Sequence, residues 1–398
     1  MSTLSVPTRP WPLAEPPADY VLGHVRAVLP DRIVDDARVV VRGGVISEVG
    51  HHPAGSGSDV DGGSLLCLPG LVDVHSDALE RERLPRPTAP LPWEFAIVSL
   101  EGKLVAAGVT TVFHGAGFQH KATGGTARTV STANELCACV RARGRGPVDH
   151  RILYRLDLLS ADGAEALRRE LDAAEGTALV SHEDHTPGQG QYADRRYMER
   201  YLMGINGLSA EEAERRVDEL IAEGSRYLDV REANLAWLGG LARAGRIRLL
   251  GHDPDSAEAV AALAARGGAV AEFPTTVEAA EAARDHGFPV VMGAPNVLRG
   301  SSHSGNVSAA ELIGRGLVTG LASDYLPSAL LAACFRIVAE KIASLPEAVR
   351  LITAGPAAVA GLADRGSLAA GRRADLVLIG DGQWPAVRSV LPASGGGQ

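Results

Sequence analysis

Histidine and acidic side chains end several of the short apolar segments of this chain. His75 and Asp77 follow the first segment as a His-x-Asp pair, and Asp324 follows the last one. Neutral imidazole and carboxylate are both good ligands for Zn²⁺ and Mn²⁺. We therefore predict a site for one or two divalent cations, with zinc preferred and manganese as the alternative. The other candidate ligands follow segments between these two: His185 and His252, with Asp184 and Glu183 as weaker candidates.

Asp324 has a second predicted role, as the catalytic base. A metal ion lowers the pKa of a bound water, and a neighbouring carboxylate can then take the proton. This is the core of metal-assisted hydrolysis. Glu272, which lies within the sixth apolar segment, keeps two interpretations, because it is either a further ligand or the partner of a neighbouring arginine.

A polar segment over residues 293–306 reads GAPNVLRGSSHSGN and is dense in Gly, Ser and Asn. Small residues let backbone N–H groups approach an anion, and arginine binds phosphate oxygens in a bidentate manner. We therefore predict a phosphate-binding loop, with an ordinary turn-rich loop as the alternative. A second polar segment, residues 184–192, is expected to cover the mouth of the site. The predicted substrate contacts in these two segments are Gln189, Asn296, Arg299, Ser302 and His303.

Short apolar segments alternate with Ala-, Glu- and Arg-rich helical segments from Leu65 to about Leu362. This pattern predicts an α/β fold, a (β/α)8 TIM-like barrel, in which the carboxyl ends of the strands meet at one mouth. A doubly wound sheet is the alternative, but no GxGxxG follows the first strand. The predicted strands are 71–75, 109–114, 152–158, 177–182, 247–252, 269–273, 289–292 and 320–323.

The two ends of the chain have a different pattern. Residues 20–49 contain short β-rich pieces separated by turn signals, and residues 376–391 return to the same pattern. We expect the barrel to be inserted in a small β-sandwich domain formed by both termini. The predicted parts are a flexible tail over 1–17, the N-terminal part of the β domain over 18–66, the barrel over 67–362 and the C-terminal part of the β domain over 363–398.

Charge and composition limit the partners. The 398 residues carry a formal net charge of −9 and contain no long uncharged apolar run. The acidic balance disfavours a nucleic-acid partner, and the lack of an apolar run disfavours a membrane. Four cysteines without paired spacing indicate a cytoplasmic protein with reduced thiols. We expect a small-molecule substrate, and a homo-oligomer only because symmetric assembly is common among soluble enzymes.

Longer motifs carry a family resemblance. The segment LPGLVDVHSDALE, the C-terminal segment GSLAAGRRADLVL and the split β domain resemble the amidohydrolase superfamily of metal-dependent barrel hydrolases. The segments DHTPGQGQY, AEFPTT, GAPNVLRGSSHSGN and ASDYLPSALLAACFR resemble one branch of it, which acts in phosphonate metabolism in association with the carbon–phosphorus lyase pathway. The similarity covers residues 20–390, nearly the whole chain.

This resemblance implies a diphosphatase, a hydrolase that releases pyrophosphate from the 5-triphosphate of a ribosyl 1-methylphosphonate and leaves the 5-phosphate. It also implies that Arg155, which forms an Arg-x-acid pattern with Asp157, binds the triphosphate together with Arg299 and His303. A structural ion pair is the alternative role for Arg155.

Departures from the family pattern leave several points open. Asp77 and Glu272 stand where many amidohydrolases have histidine, so the number of metals is open. Ala78, His114 and His182 differ from the branch, so a related phosphorylated substrate is also open. Two rival functions remain: hydrolysis of a C–N bond, as by a cyclic amidase, deaminase or deacetylase, and a non-catalytic barrel subunit of phosphonate metabolism. The predicted phosphate-binding loop favours the diphosphatase over an amide hydrolase, and the His and Asp set favours catalysis over a scaffold.

Overall fold

The computed structural model describes residues 16–119, 128–302, 305–380, 382 and 384–394. The first strands belong to a β domain. In the second strand Ala37, Val39 and Val41 are fully buried, because alternate side chains of a strand point to the same face. These strands are β1 (Tyr20–Val28), β2 (Ile33–Arg42), β3 (Val45–His51), β4 (Val60–Asp61) and β5 (Leu66–Pro69).

Eight parallel strands follow, each paired with the next along the chain, and they form the predicted barrel. All of the predicted barrel strands are present, with small shifts of their ends. The strands are β6 (Leu71–Ser76), β7 (Val109–Phe118), β8 (Asp149–Asp157), β9 (Ala178–Glu183), β10 (Ile247–His252), β11 (Val270–Glu272), β12 (Val290–Gly293) and β13 (Gly320–Ala322). Every residue of β6 and β7 is buried, as expected for strands covered on both faces.

Hydrogen bonds close the barrel between its last and first strands. Asp73 on β6 accepts hydrogen bonds from the backbone N–H of Ser323 at 3.0 Å and from the Ser323 hydroxyl at 2.5 Å. The N–H of Asp324 donates to the carbonyl of His75 at 3.0 Å, and the N–H of Asp77 donates to the carbonyl of Asp324 at 2.5 Å. The two strand ends that carry His75, Asp77 and Asp324 are therefore tied together.

Helices surround the barrel, and local capping sets several of their ends. Ser209 accepts a hydrogen bond from the N–H of Glu212, and the Glu212 carboxylate accepts one from the N–H of Ser209. This capping box fixes the start of a helix at Ala210. Within the described ranges, no helix has both the length and the apolar character needed to cross a bilayer. The helices are α1 (Ala78–Arg83), α2 (Trp93–Ala106), α3 (Val130–Ala142), α4 (Ala161–Asp172), α5 (Arg195–Asn206), α6 (Ala210–Gly224), α7 (Leu228–Arg243), α8 (Ala257–Ala265), α9 (Val277–Asp285), α10 (Ala294–Arg299), α11 (Ala309–Gly314), α12 (Ala329–Ala339), α13 (Leu345–Arg350) and α14 (Ala354–Val359).

The last two strands, β14 (Leu376–Gly380) and β15 (Ala386–Leu391), return to the β domain. They pair onto β5, so the strand order is β15-β14-β5-β1-β2-β3, with β4 beside β1. The prediction of a barrel inserted in a β domain built from both termini is confirmed, and the strands of that domain join into one seven-stranded sheet. The exact residue limits of the predicted parts stay predictions.

Two segments with the composition of loops contain regular structure. The short strand β4 lies within a Gly/Ser-rich stretch, where pairing with β1 outweighs the weak local preference for a strand. The predicted phosphate-binding loop begins with α10, which has a proline in its first turn and ends at Gly300 with φ of 79°. Proline at the start and a left-handed glycine at the end are ordinary helix limits, so this sequence supports a short helix.

Replacing Asp73 with alanine tests the closure of the barrel. The change leaves the buried N–H of Ser323 without its acceptor and leaves the Ser323 hydroxyl only the longer contact with Oγ of Ser76 at 3.2 Å, so we expect the free energy of unfolding to fall by about 3 kcal/mol. Ser323→Ala, which removes only the hydroxyl, should cost about 1 kcal/mol. Urea titration followed by tryptophan fluorescence measures both. Asp172→Ala, at an exposed carboxylate, is the control, and equal stability of the Asp73 and Asp172 variants would contradict this role.

Candidate active site

The inside of the barrel has an apolar floor with polar residues above it. Five members of the buried apolar cluster at this floor come from different strands: Leu153, Leu179, Leu250, Val270 and Ala322. Because alternate residues of a strand face the same side, the residue two positions further on also points inward. Those five positions hold Arg155, Ser181, His252, Glu272 and Asp324. The polar layer therefore lies at the carboxyl ends of the strands, where barrel enzymes have their active sites.

Glu272 holds two histidines that come from distant strands. Its carboxylate oxygens lie 2.8 Å from Nδ1 of His75 and 2.8 Å from Nδ1 of His252, and it also accepts a hydrogen bond from Ser181 at 2.6 Å. Glu272 is fully buried, and although burial opposes ionisation, the electrostatic interaction with His75 and the hydrogen bonds from both histidines hold its pKa well below the usual value. An ionised carboxylate only accepts, so each Nδ1 carries the proton and each Nε2 keeps its lone pair for another partner.

The backbone turns sharply where three strands reach this layer. Asp253, Phe273 and Asp324 have φ of 52°, 55° and 57°, in the left-handed region that costs a non-glycine residue about 1–2 kcal/mol. The Phe273 ring contacts both histidines edge-on, with centroid distances of 5.0 Å to His75 and 5.5 Å to His252. Such backbone conformations concentrate at functional sites, because the surrounding structure has to impose them.

One group of possible metal ligands consists of His75, Asp77 and Asp324. One ligand atom from each lies within 4.8 Å of the others, and Nε2 of His75 is 3.7 Å from Oδ1 of Asp77. Burial and the charge of Asp77 raise the pKa of Asp324. This group combines an imidazole nitrogen with two carboxylates, which is a suitable donor set for Zn²⁺ or Mn²⁺.

A second group consists of Glu183, His185 and His252, again with ligand atoms within 4.8 Å of one another. Asp253 adds a carboxylate oxygen 3.4 Å from Nε2 of His252 and 3.9 Å from Nε2 of His185. Two of these buried atoms, Nε2 of His185 and Oδ2 of Asp253, have no hydrogen-bond partner among the described residues. Buried polar atoms are nearly always paired, so these orphan atoms fit a bound cation.

Arg155 connects the two groups from below. Its guanidinium donates to both oxygens of Asp77, at 2.8 and 3.0 Å, and to Glu183 at 2.7 Å. Burial alone would raise the pKa of Asp77, but the charges of Arg128 and Arg155 lower it, and Arg155 likewise lowers the pKa of Glu183. Arg155 is only 3% exposed, which agrees with the alternative of a structural ion pair, and its contact with the substrate stays a prediction.

Two further predicted site residues have hydrogen-bond partners within the protein, and their predicted roles stay predictions. Asp184, a predicted ligand, accepts hydrogen bonds from the N–H and hydroxyl of Thr186 and pairs with Arg231 at 3.0 Å, outside both ligand groups. Asn296, a predicted substrate contact, accepts a hydrogen bond from the N–H of Ala309 at 3.0 Å and so fixes α10 against the start of α11.

The remaining predicted substrate contacts lie around the mouth. Gln189 hydrogen-bonds the Asp184 carboxylate, and Ser302 is half-buried beyond the end of α10. Arg299 is exposed and donates a hydrogen bond to the Tyr325 hydroxyl at 2.7 Å, next to Asp324. His303 lies outside the described residues.

Sequence reasoning undervalued Glu183 and did not select Asp253. The two-residue alternation along β9 was the available signal, because it places Ser181 and Glu183 on the inner face and His182 on the other. His114, the other unexpected histidine, pairs with His150 at 2.8 Å on the outer side of the barrel and joins neither ligand group. The position of Asp253 depends on the left-handed turn after β10, for which the sequence carries no signal.

The barrel, its terminal β domain and the candidate ligand groups at the strand ends are the features of a barrel hydrolase of the amidohydrolase type. The sequence model described as "Amidohydrolase family" matches residues 249–383. The chain is also 36% identical over 362 residues to the alpha-D-ribose 1-methylphosphonate 5-triphosphate diphosphatase of Escherichia coli strain K12. The matched region covers 90% of this chain and 94% of that protein. The chain therefore belongs to the amidohydrolase superfamily, in the branch of this diphosphatase, as its motifs predict.

Two other similarities agree with the superfamily. Imidazolonepropionase of Deinococcus radiodurans is 28% identical over 387 residues, covering 90% of this chain and 89% of that protein. The crystal structure of N-acetyl-D-glucosamine-6-phosphate deacetylase from Mycobacterium smegmatis superposes with a TM-score of 0.61 at 18% identity, covering 94% of this chain and 98% of the other. At this identity the structural match establishes the fold only. Members of the superfamily typically bind divalent metal, which agrees with the two ligand groups.

Glu272→Gln tests whether this carboxylate orients the histidines. The amide presents an N–H₂ to one of the two Nδ1 atoms, so that imidazole has to move its own proton to Nε2 and lose its free lone pair. We expect the affinity for Zn²⁺ to fall about 10- to 100-fold, as for other partners of metal-binding histidines. Competition with a chromophoric chelator measures the dissociation constant. The control is Glu258→Gln at an exposed helix position, and equal affinities in the two variants would contradict the role.

Proposed function

We propose that this protein hydrolyses α-D-ribose 1-methylphosphonate 5-triphosphate to pyrophosphate and 5-phosphoribosyl 1-methylphosphonate, in phosphonate catabolism. The observation that carries the proposal is the 36% identity to the E. coli diphosphatase over 90% of this chain. The chemistry of the mouth supports it, because arginines and candidate cation ligands lie together there, as the transfer of a highly charged phosphoryl group requires.

We assign two candidate cation positions to this function. His75, Asp77 and Asp324 form one, and His185, His252 and Glu183 form the other, with Asp253 beside it. Cations bound there would neutralise phosphate charge and lower the pKa of a bound water. Nitrogen and oxygen donors favour zinc, with manganese as the alternative. Glu272 acts through His75 and His252, so we place it as a positioning residue.

The proposed reaction adds water across one phosphoanhydride bond. The water oxygen bonds to the α-phosphorus, the bond from this phosphorus to the bridging oxygen breaks, and its electron pair leaves with pyrophosphate. Asp324 accepts the proton that the attacking water loses. A carboxylate within reach of the attacking water can act as such a general base.

A second candidate function is C–N bond hydrolysis, favoured by the similarity to imidazolonepropionase. The fold serves both chemistries, so the site has to distinguish them. The lower identity of that relative and the arginine at the end of α10, beside the candidate base, favour the phosphate substrate.

An assay with both substrate types separates these functions. Purified protein is loaded with Zn²⁺ or Mn²⁺ and offered ribose 1-methylphosphonate 5-triphosphate or imidazolonepropionate. We expect pyrophosphate release from the first, lost on chelation and restored by metal. Cleavage of imidazolonepropionate without any pyrophosphate release would reject the diphosphatase proposal and support the second candidate.

Asp324→Asn tests the proposed base. The amide keeps an oxygen and the size of the side chain but cannot take a proton from water, so we expect kcat to fall by about 10²- to 10⁴-fold. Pyrophosphate release under saturating substrate and metal measures this effect. Asp172→Asn on the outside of the barrel controls for the loss of charge, and an undiminished kcat in the Asp324 variant would exclude the residue as the base.

A further inference from the structure

Two arginines from distant parts of the chain meet on the ring of Tyr325. The guanidinium of Arg81 lies over the ring, with its Cζ atom 4.9 Å from the centroid. Arg299 donates a hydrogen bond from its guanidinium to the Tyr325 hydroxyl at 2.7 Å. Tyr325 directly follows Asp324, so these side chains lie at the mouth beside the candidate base. We call Arg81, Tyr325 and Arg299 the arginine clamp.

Arg81 differs from the charged residues next to it. Arg83 pairs with Glu135 at 3.7 Å, and Glu82 pairs with Lys103 at 2.6 Å. Arg81 is exposed and forms no ion pair with any residue in the described part of the chain. The two guanidinium groups on Tyr325 repel each other, and an anion bound between them would attract both and offset this repulsion.

The arrangement leaves Arg81 able to bind a phosphate. Stacking on Tyr325 uses the face of the guanidinium, whereas its N–H donors point outward in the plane. Those donors match phosphate oxygens in a bidentate manner. Arg81 also lies one turn beyond Asp77, about 6 Å along the helix axis at 1.5 Å per residue. The clamp is therefore close to the ligand groups without belonging to them.

Carboxylates line another part of the site. A cavity beside the second ligand group is lined by Asp157, Glu183 and Glu223, together with apolar residues such as Leu220. The clamp is the cationic counterpart at the same mouth.

We propose that the arginine clamp binds the two distal phosphates of the substrate, the part that leaves as pyrophosphate, and that Arg81 determines specificity for a triphosphate. This inference rests on the proposed function for the identity of the leaving group. When the bond to the α-phosphorus breaks, its electron pair stays on the bridging oxygen of pyrophosphate. The guanidinium donors stabilise the negative charge that develops there.

Equilibrium binding of inorganic pyrophosphate to the metal-loaded full-length protein tests the clamp. Isothermal titration calorimetry compares wild type with Arg81→Gln, and metal content is measured before and after. We expect the Arg81 variant to bind pyrophosphate at least about tenfold more weakly, since charge-assisted hydrogen bonds to phosphate are lost. Arg81→Lys should recover only part of the affinity, because an ammonium keeps the positive charge but lacks the planar pair of N–H donors of a guanidinium.

Arg32→Gln, an exposed arginine on the β1–β2 turn that pairs with Asp31, is the matched control and should bind pyrophosphate like wild type. Equal affinity in wild type and Arg81→Gln, or no binding by wild type, would overturn the clamp. Weakened pyrophosphate binding in Arg81→Gln supports it, even if wild type hydrolyses no triphosphate. Weakened pyrophosphate binding without any triphosphate hydrolysis would reject the proposed function and keep the pyrophosphate site. Failure of the clamp and failure of the proposed function therefore give different results.

Discussion

A single buried carboxylate, that of Glu272, fixes two imidazoles that come from the first and fifth strands of the barrel. An ionised group in the protein interior is costly unless charged or polar partners surround it. Here two histidines and one serine supply those partners at hydrogen-bond distance. The same contacts determine which nitrogen of each imidazole is free, and this choice decides what the site can bind. The buried carboxylate of Glu272 thus sets the tautomers of His75 and His252 and leaves their Nε2 atoms free to bind a ligand.

The barrel has to hold its strands in register for this interaction to exist. Its first and last strands share an isolated bridge between Ser76 and Asp324, and the hydrogen bonds of Asp73 reinforce that closure. The closure therefore also sets the distance between the His-x-Asp pair and the candidate base. The left-handed turns at Asp253, Phe273 and Asp324 add local strain that this framework has to support.

Local patterns were enough to predict the strands and several site residues. Alternating apolar and helical segments placed the barrel strands, and strand ends pointed to His75, His252 and Asp324.

Partners across the barrel were not predictable in this way. The pairing of Glu272 with histidines, and of Arg155 with Asp77 and Glu183, depends on side chains far apart in sequence. The alternation of side chains along β9 favours Glu183 over Asp184 as the inward-facing residue. Four consecutive polar residues, 182–185, obscured this pattern in the sequence. The helix α10 was missed because its composition resembles a loop, although its proline and glycine fit helix limits.

The electrostatic layout of the mouth connects this geometry to a substrate. Carboxylates and histidines form the two ligand groups, and Arg81 and Arg299 contact Tyr325, which directly follows the candidate base Asp324. A crystal structure of the zinc-loaded protein, with anomalous diffraction collected at the metal edge, tests the central claim most directly. We predict zinc bound to Nε2 of His75 and of His252, with Glu272 still bonded to both Nδ1 atoms. Zinc coordinated directly by Glu272, or by either Nδ1 atom, would contradict the account.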